Sequence, residues 1–177
     1  MTPAAPHAVD SGRFRAVLSR WATGVSVVTA HGRSGDAGLT VNALLSVSLD
    51  PPSLLVSLSN GTDTLPVVDE SRHFGVSFLS AEQRELSERF ALAVPSAEKF
   101  PGVGLHRGPY GSPLLDGAIA ALECRLAART PAFDHTLLLG EVVHLESGPD
   151  RTPLVFYRSG YASADGTERL RLPSPRP

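Results

Sequence analysis

Residues 39–52 read LTVNALLSVSLDPP, and their alternation predicts a β-strand. Its odd-numbered positions run from Val41 to Leu49 and are apolar, whereas its even-numbered positions carry small polar groups, with Leu44 the exception. Successive side chains of a strand point to opposite faces, so one face is apolar and the other is neutral and polar. An exposed strand face usually carries lysine, arginine or glutamate as well, and this one has none.

The segments on either side of this strand predict its neighbours in a sheet. GVSVVTA (24–30) is a β-branched strand, and HGRSGD (31–36) is a turn that makes it the hairpin partner of the opening stretch. Asp50-Pro51-Pro52 ends the opening strand because neither proline can donate a hydrogen bond to a ladder. SLLVSLS (53–59) then predicts the next strand.

The rest of the chain adds helices and further strands. Phe14, Val17, Leu18 and Trp21 have helical spacing; a short helix is expected over 62–70, and a capping box starts another at Ser80. Residues 93–113 are rich in Gly and Pro and predict one long irregular loop. The remaining strands are HFGVSFLS, GAIAALECRLAA, HTLLLGEVVHLE and PLVFYRSGY. About seven consecutive strands with two or three helices predict a mainly β fold with α, an antiparallel barrel with helices at its rim.

Composition excludes several classes of protein. The 177 residues carry a net charge of −2 with scattered cations, so no basic stripe for nucleic acid is present. Without an apolar leader or a long apolar run, we expect no membrane segment and a cytoplasmic location. Cys124 alone gives no internal disulfide, and His135 and His144 fall on opposite faces of one predicted strand, so we expect no metal site. One domain is predicted over 11–163, with a disordered tail at 1–10 and a polar tail at 164–177.

The polar face of the opening strand belongs to no common sequence motif. GVGLHRG (102–108) has Arg107 at the position where a dinucleotide fingerprint has its final glycine, and no predicted strand precedes it. No Walker motif or nucleophile elbow is present. A second small-polar cluster, SLSNGTDT, lies at 57–64. Hydroxyls and backbone N–H groups suit a phosphate, and an amide with apolar neighbours suits a flat heterocycle. The alternative is a threonine- and serine-rich edge strand that faces water.

The chain resembles the short-chain flavin reductases, the reductase partners of two-component flavin-dependent monooxygenases. The resemblance rests on T-x-N-x-x-x-S-V-S-L-D-P-P from Thr40 and on D-H-T-x-x-L-G-E-V from Asp134, with further matching segments in family order. Those segments are RWATGVSVVTA (20–30), SRHFGVSFLSAEQRELSERFA (71–91), EKFPGV (98–103), LLDGAIAALECRL (114–126) and PLVFYRSGY (153–161).

The resemblance implies a split β-barrel that forms a homodimer and binds FMN or FAD near the subunit interface. The residues that it places along the isoalloxazine and ribityl chain are Thr40, Val41, Asn42, Ala43, Ser46, Val47 and Ser48. It places Ser59, Asn60, Thr62 and Thr64 towards the phosphate, Arg89 and Phe90 at the flavin's outer side, His135 as the catalytic residue near the nicotinamide, and Tyr161 closing the site. The polar strand face would then be the wall against which the flavin lies.

The implied activity is an NAD(P)H:flavin oxidoreductase, an oxidoreductase that supplies reduced FMN or FAD to a partner monooxygenase. NADH is the expected donor, with NADPH open, and the cofactors carry the chemistry while the protein aligns them. Two alternatives remain: an oxidase or monooxygenase of the same fold that acts on an organic substrate itself, and a non-catalytic flavin-binding protein.

Three positions depart from the family pattern. Ala43 and Leu45 stand where family members commonly carry hydroxyls, and Phe133 stands where glycine usually precedes Asp-His. The first two remove possible hydrogen bonds to a flavin. The third puts an aromatic ring beside the implied nicotinamide site, where we expect it to hinder stacking.

Overall fold

A computed structural model describes residues 9–164, so most of the two predicted tails lies outside the described residues. Its helices are α1 Ser11–Leu18, α2 Thr64–Ser71, α3 Arg84–Ala91 and α4 Ser96–Lys99. Its first six strands are β1 Thr23–Gly24, β2 Ser26–Gly32, β3 Gly35–Val41, β4 Leu44–Leu49, β5 Pro52–Ser59 and β6 His73–Phe78. The other six are β7 Leu105–Arg107, β8 Pro113–Leu115, β9 Ala120–Ala132, β10 His135–Ser147, β11 Leu154–Tyr157 and β12 Gly160–Ser163.

Seven antiparallel strands form the main sheet, in the order β3-β2-β6-β9-β10-β5-β4. β3 and β4 occupy its two opposite edges, although only Asn42 and Ala43 separate them in the chain. Two residues span less than about 11 Å, so the sheet must curl until its edges approach each other. The edges do not pair, and the result is a split β-barrel, which confirms the predicted fold class.

The opening stretch is therefore not the single strand that its alternation predicted. The chain leaves one edge of the sheet after Val41 and enters the other at Leu44, and a register irregularity follows between Ser46 and Ser48. In β4 the apolar face of the alternation is not the buried one. Leu44, the exception in the pattern, packs against the core, whereas Leu45, Val47 and Leu49 are exposed.

The core has two parts. The larger lies within the barrel, where α2 covers β2 and β3 and contributes Leu65 and Val68. The smaller lies beneath α3, where Phe90 packs with Val27 and Leu154. β1, β11 and β12 form a separate three-stranded sheet beside it.

The predicted capping signal at Ser80 is confirmed, whereas the predicted irregular loop over 93–113 is wrong. The capping signal at Ser80 is present, with the Ser80 backbone N–H donating to Gln83 Oε1 at 3.1 Å, but the first turn, Ala81–Gln83, is a 3₁₀ helix that leads into α3. The segment 93–113 is not one irregular loop, because it contains α4, β7 and the start of β8. Contacts with other parts of the chain hold it: Arg107 pairs bidentately with the Asp36 carboxylate on β3.

Candidate functional site

The first group of predicted site residues lies where β5 ends and β10 begins. Ser59 and His135 are register partners across these strands, and Ser59 Oγ lies 3.4 Å from His135 Nε2. The other ring nitrogen, Nδ1, lies 2.8 Å from an Asp134 carboxylate oxygen. The carboxylate therefore fixes the orientation of the imidazole, and Nε2 points towards the hydroxyl of Ser59.

Asn60 ties this corner together. Its Nδ2 donates to the carbonyl oxygen of Phe133 at 2.9 Å, its Oδ1 accepts from Thr136 Oγ1 at 2.7 Å, and its backbone N–H donates to the carbonyl of Asp134 at 3.0 Å. Thr62 Oγ1 donates to the Ser59 carbonyl at 3.0 Å and closes the turn. The loop after β5 and the β9–β10 turn are therefore one hydrogen-bonded unit.

His135 also sets the electrostatics of this corner. The hydrogen bond with His135 and the charge of the imidazole lower the pKa of Asp134, whose side chain is almost fully exposed. The Asp134 carboxylate is therefore ionised at neutral pH.

A hydrogen-bond network that the sequence did not predict lies behind the loop that follows β5. Ser96 donates to both Asp63 carboxylate oxygens, from its backbone N–H at 2.7 Å and from Oγ at 2.8 Å, and Ser96 Oγ accepts from the Gly38 N–H at 3.1 Å. Buried Lys99 donates to the carbonyls of Gly38 and Phe90 at 3.3 and 3.4 Å. Burial lowers the pKa of Lys99, and the Asp63 charge opposes that shift. The network fixes the loop against β3 and α4.

The second group of predicted residues surrounds Tyr161. Thr40 Oγ1 donates to the Ser87 carbonyl at 2.7 Å, and Ser87 Oγ lies 2.9 Å from the Tyr161 hydroxyl. The Arg84 guanidinium lies over the Tyr161 ring, 5.3 Å from its centroid. Thr40, Ser87 and Tyr161, together with Asn42, line a cleft of about 170 Å³.

Asn42 lies between this cleft and a larger cavity of about 350 Å³. The larger cavity is mainly apolar, with Trp21, Leu44, Phe78 and Ile119 among its lining residues. Asn42 thus presents an exposed amide between apolar surfaces, the combination that the edge and face of a flat polar ring require.

Ala43 connects the second group to the first. The Ala43 carbonyl accepts from the Ser57 N–H at 3.1 Å, two residues before Ser59 on β5. Ser46 and Val47 follow on β4 and are exposed. Ser48 is engaged in the turn, where its Oγ accepts from the Asp50 N–H at 3.1 Å.

Four predicted residues present little or no side-chain surface to a ligand. Phe90 is fully buried and packs edge-on against Phe100, with ring centroids 5.1 Å apart. Val41 lies in the core, and Thr64 is buried with no hydrogen-bond partner for its Oγ1 among the described residues. Arg89 is half-buried, and its guanidinium donates to the Pro101 carbonyl at 2.5 Å. In this structure these side chains support the site from behind and do not form its surface.

Sequence reasoning missed four residues that hold the site in place, namely Ser87, Asp63, Ser96 and Lys99. Each makes its contact with a partner distant in the chain; Thr40 and Ser87, for example, are 47 positions apart. The available signal was a small neutral residue, Ser87, among the charged residues of α3. Cys124 is no candidate nucleophile, because burial raises the pKa of its thiol to about 12.

Comparison with known proteins gives the family. Residues 18–165 match the flavin reductase-like domain family. The chain belongs to that family. The actinorhodin polyketide dimerase of Streptomyces coelicolor is 43% identical to this flavin reductase-like protein over 142 residues, 78% of this chain and 79% of that one. The FMN reductase (NADH) SmoA of Agrobacterium fabrum is 39% identical over 151 residues, 85% of this chain and 84% of that one.

A solved structure agrees with this assignment. BorF, the flavin reductase component of a bacterial two-component tryptophan halogenase, matches this flavin reductase-like chain with a TM-score of 0.81 and 35% identity. The match covers 87% of this chain and 98% of BorF. The family relationship therefore rests on sequence and on fold together.

The residues at the site of this flavin reductase-like protein fit a flavin. The amide of Asn42 is exposed beside apolar surface, as the ring of a flavin requires, and the hydroxyl of Ser46 is exposed on β4. The hydroxyl of Ser59 lies at the end of β5, where a neutral donor suits a phosphate, and the Thr62 hydroxyl holds the Ser59 carbonyl beside it. In addition, none of the helices described between residues 9 and 164 is long and apolar enough to span a membrane.

Proposed function

We propose that this protein is an NAD(P)H-dependent flavin reductase that supplies reduced FMN or FAD to a partner monooxygenase. The observation that carries the proposal is the exposed amide of Asn42, which lies between an apolar cavity and the cleft at Thr40 and Tyr161. The family assignment supports it, as do relatives named FMN reductase (NADH) and a relative named as the reductase component of 4-hydroxyphenylacetate 3-monooxygenase.

The polar residues of the site would bind the flavin. Asn42 and Ser46 would donate to the ring edge, and the backbone around Ala43 would approach it closely. Ser59, Asn60 and Thr62 would hold the phosphate. Thr40 and Tyr161 would close the far side, held in place by Ser87.

The cofactors supply the chemistry, a hydride passing from the reduced nicotinamide to the flavin. His135 has two tasks in this proposal. Its imidazole would orient the nicotinamide carboxamide, and its protonated form would stabilise negative charge on the reduced product. Asp134 supports the second task, because its carboxylate lies 2.8 Å from Nδ1 and stabilises the imidazolium.

A second candidate is an enzyme that keeps its flavin and acts on an organic substrate itself. The apolar cavity of about 350 Å³ beside Asn42 offers room for such a substrate, and the relative at 43% identity is named a polyketide dimerase. A non-catalytic flavin-binding protein is the third reading, and no contact in the structure favours it.

Anaerobic stopped-flow spectroscopy separates these functions. Protein and flavin are mixed with NADH, and in parallel with NADPH, and the flavin absorbance band is followed. Rapid bleaching, with reduced flavin released to an added acceptor, is the expected result. A tightly held flavin that neither donor bleaches overturns the reductase proposal and favours the second or third candidate.

The homodimer also belongs to this proposal. Phe14, Val17, Leu18 and Trp21 on and after α1 are exposed, as are Leu45, Val47 and Leu49 on β4. Leu49 is 90% exposed and Trp21 72% exposed. Water-facing apolar surface of this kind is typical of an interface. Light scattering should give twice the chain mass of 18.7 kDa, and Leu49→Lys should shift the population towards monomer.

We further propose a cytoplasmic location and a single functional domain over 11–163. The family match over 18–165 spans nearly the whole of that domain. Fractionation of the native host, with flavin reductase activity as the marker, tests the location.

A further inference from the structure

Phe133 occupies an uncommon position at the tip of the β9–β10 turn. Its backbone has φ +58°, in the left-handed region, and its side chain is 103% exposed. The left-handed region is unfavourable for a residue with a Cβ and is normally taken by glycine. The chain therefore holds a large aromatic ring in a strained backbone, and the ring buries nothing against the described residues.

The backbone that carries the ring is nevertheless held in a defined place. Asn60 Nδ2 donates to the Phe133 carbonyl at 2.9 Å, and the Asn60 N–H donates to the carbonyl of Asp134 at 3.0 Å. Asn60 is itself held by Thr136 at 2.7 Å. A fully exposed aromatic ring on a fixed backbone is a platform on which a flat ring of a ligand can stack, and such a ligand would give the unfavourable backbone conformation a function.

The platform lies beside the loop to which we assign the flavin phosphate. Asn60 belongs to that loop and contacts Phe133 directly. FMN ends at this phosphate, whereas FAD continues through a second phosphate to adenosine. The part of a ligand that leaves the phosphate loop on this side therefore meets the Phe133 ring.

We propose that Phe133 is a specificity-determining residue that stacks on the adenine of a dinucleotide. The inference rests on the proposed flavin site. FAD is the dinucleotide that the position beside the phosphate loop favours, and NADH, which also carries an adenine, is the second source of the same chemistry. Three variants separate the contributions of the backbone and the ring: Phe133→Tyr keeps an aromatic ring, Phe133→Leu keeps an apolar side chain, and Phe133→Gly removes both ring and strain.

The test measures Kd for FAD and for FMN by quenching of flavin fluorescence, and KM for NADH with FMN as the flavin. If FAD is the partner, Phe133→Leu and Phe133→Gly weaken FAD about fivefold to tenfold, leave FMN within about twofold, and Phe133→Tyr restores FAD binding. If NADH is the partner, KM for NADH rises by a similar factor in the same two variants, and both flavins bind as in the wild type.

Other outcomes overturn the inference. Equal weakening of FMN and FAD means that the ring acts through the loop or on the flavin ring itself. No change in either flavin or in KM means that the ring contacts neither dinucleotide. Failure of the wild-type protein to bind any flavin is a separate result, because it removes the proposed function before the variants are compared.

Discussion

His135 and Ser59 face each other across β10 and β5, with Nε2 of the imidazole 3.4 Å from Oγ of the serine. The opposite ring nitrogen is held by Asp134, so a carboxylate orients the imidazole on one side and the Ser59 hydroxyl contacts it on the other.

His135→Ala should lower the rate of flavin reduction by NADH about tenfold or more while flavin affinity changes little. The reason is that the imidazole would act on the nicotinamide and on developing negative charge, whose stabilisation contributes only during reaction. Single-turnover stopped-flow gives the rate, and fluorescence titration gives the affinity. His31→Ala is the matched control, because His31 is also exposed and also pairs with a carboxylate, Asp36 at 2.7 Å. An unchanged rate in His135→Ala would make the histidine structural.

Ala43→Ser should tighten flavin binding by about threefold to tenfold. Ala43 is exposed between Asn42 and β4, and a hydroxyl there adds one hydrogen bond of about 0.5–1.5 kcal/mol. Isothermal titration measures the change. Ala127→Ser, on the exposed part of β9, is the control and should leave the affinity unaltered. Equal effects in both variants would show that Ala43 does not contact the flavin.

Glu123→Gln should destabilise the fold by roughly 1–3 kcal/mol. The Glu123 carboxylate is fully buried and accepts from the Tyr110 N–H at 2.9 Å and the Ser112 N–H at 2.8 Å. A glutamine turns one acceptor into a donor, so one N–H would lose its partner. Urea denaturation measures the loss, and hydrogen exchange should quicken at Tyr110 and Ser112. A more stable variant would show that desolvation of the charge outweighs these two hydrogen bonds.

The sequence predicted local structure well because local patterns determine it. The strands at 53–59 and 73–78 and the signal at Ser80 follow from alternation, proline and capping chemistry. The break at Asn42 could not be predicted, because the alternation continues through it while the chain crosses between sheet edges. The burial of Glu123 could not be predicted either, because its hydrogen-bond partners lie in a segment for which the sequence predicted an irregular loop.

For the site, family resemblance selected residues that the fold divides into two groups. Ser59, Asn60, Thr62 and His135 form one unit with hydrogen bonds between them, and Thr40 and Tyr161 form the other through Ser87. The intermediaries have no local signal, since their partners come together only when the barrel curls. The resemblance placed Phe90 at the outer side of the flavin, but its ring is fully buried. Helical spacing alone did not predict this burial.

Thermal stability should fall slightly as pH rises from about 6 to 9, and His106 should be one cause. Hydrogen bonding to Asp116, at 2.9 Å from Nδ1, and the Glu146 carboxylate, at 2.8 Å from Nε2, raise the pKa of His106 against a smaller opposing effect of burial. His144 also faces Glu146, at 3.7 Å. A raised pKa means that protonated His106 stabilises the folded state below its unfolded pKa of about 6.5, and that this contribution is lost as pH rises through the folded pKa.

The expected size is small because all three groups are partly exposed. We expect a decrease in Tm of about 1–3 °C from this group, and weaker pH dependence in His106→Gln. Differential scanning calorimetry across the pH range, at low and at high salt, measures it, and high salt should reduce the difference. The His31–Asp36 pair supplies the control, since His31→Gln should leave the His106 component in place. A pH dependence in His106→Gln equal to that of the wild type would assign the effect to other groups.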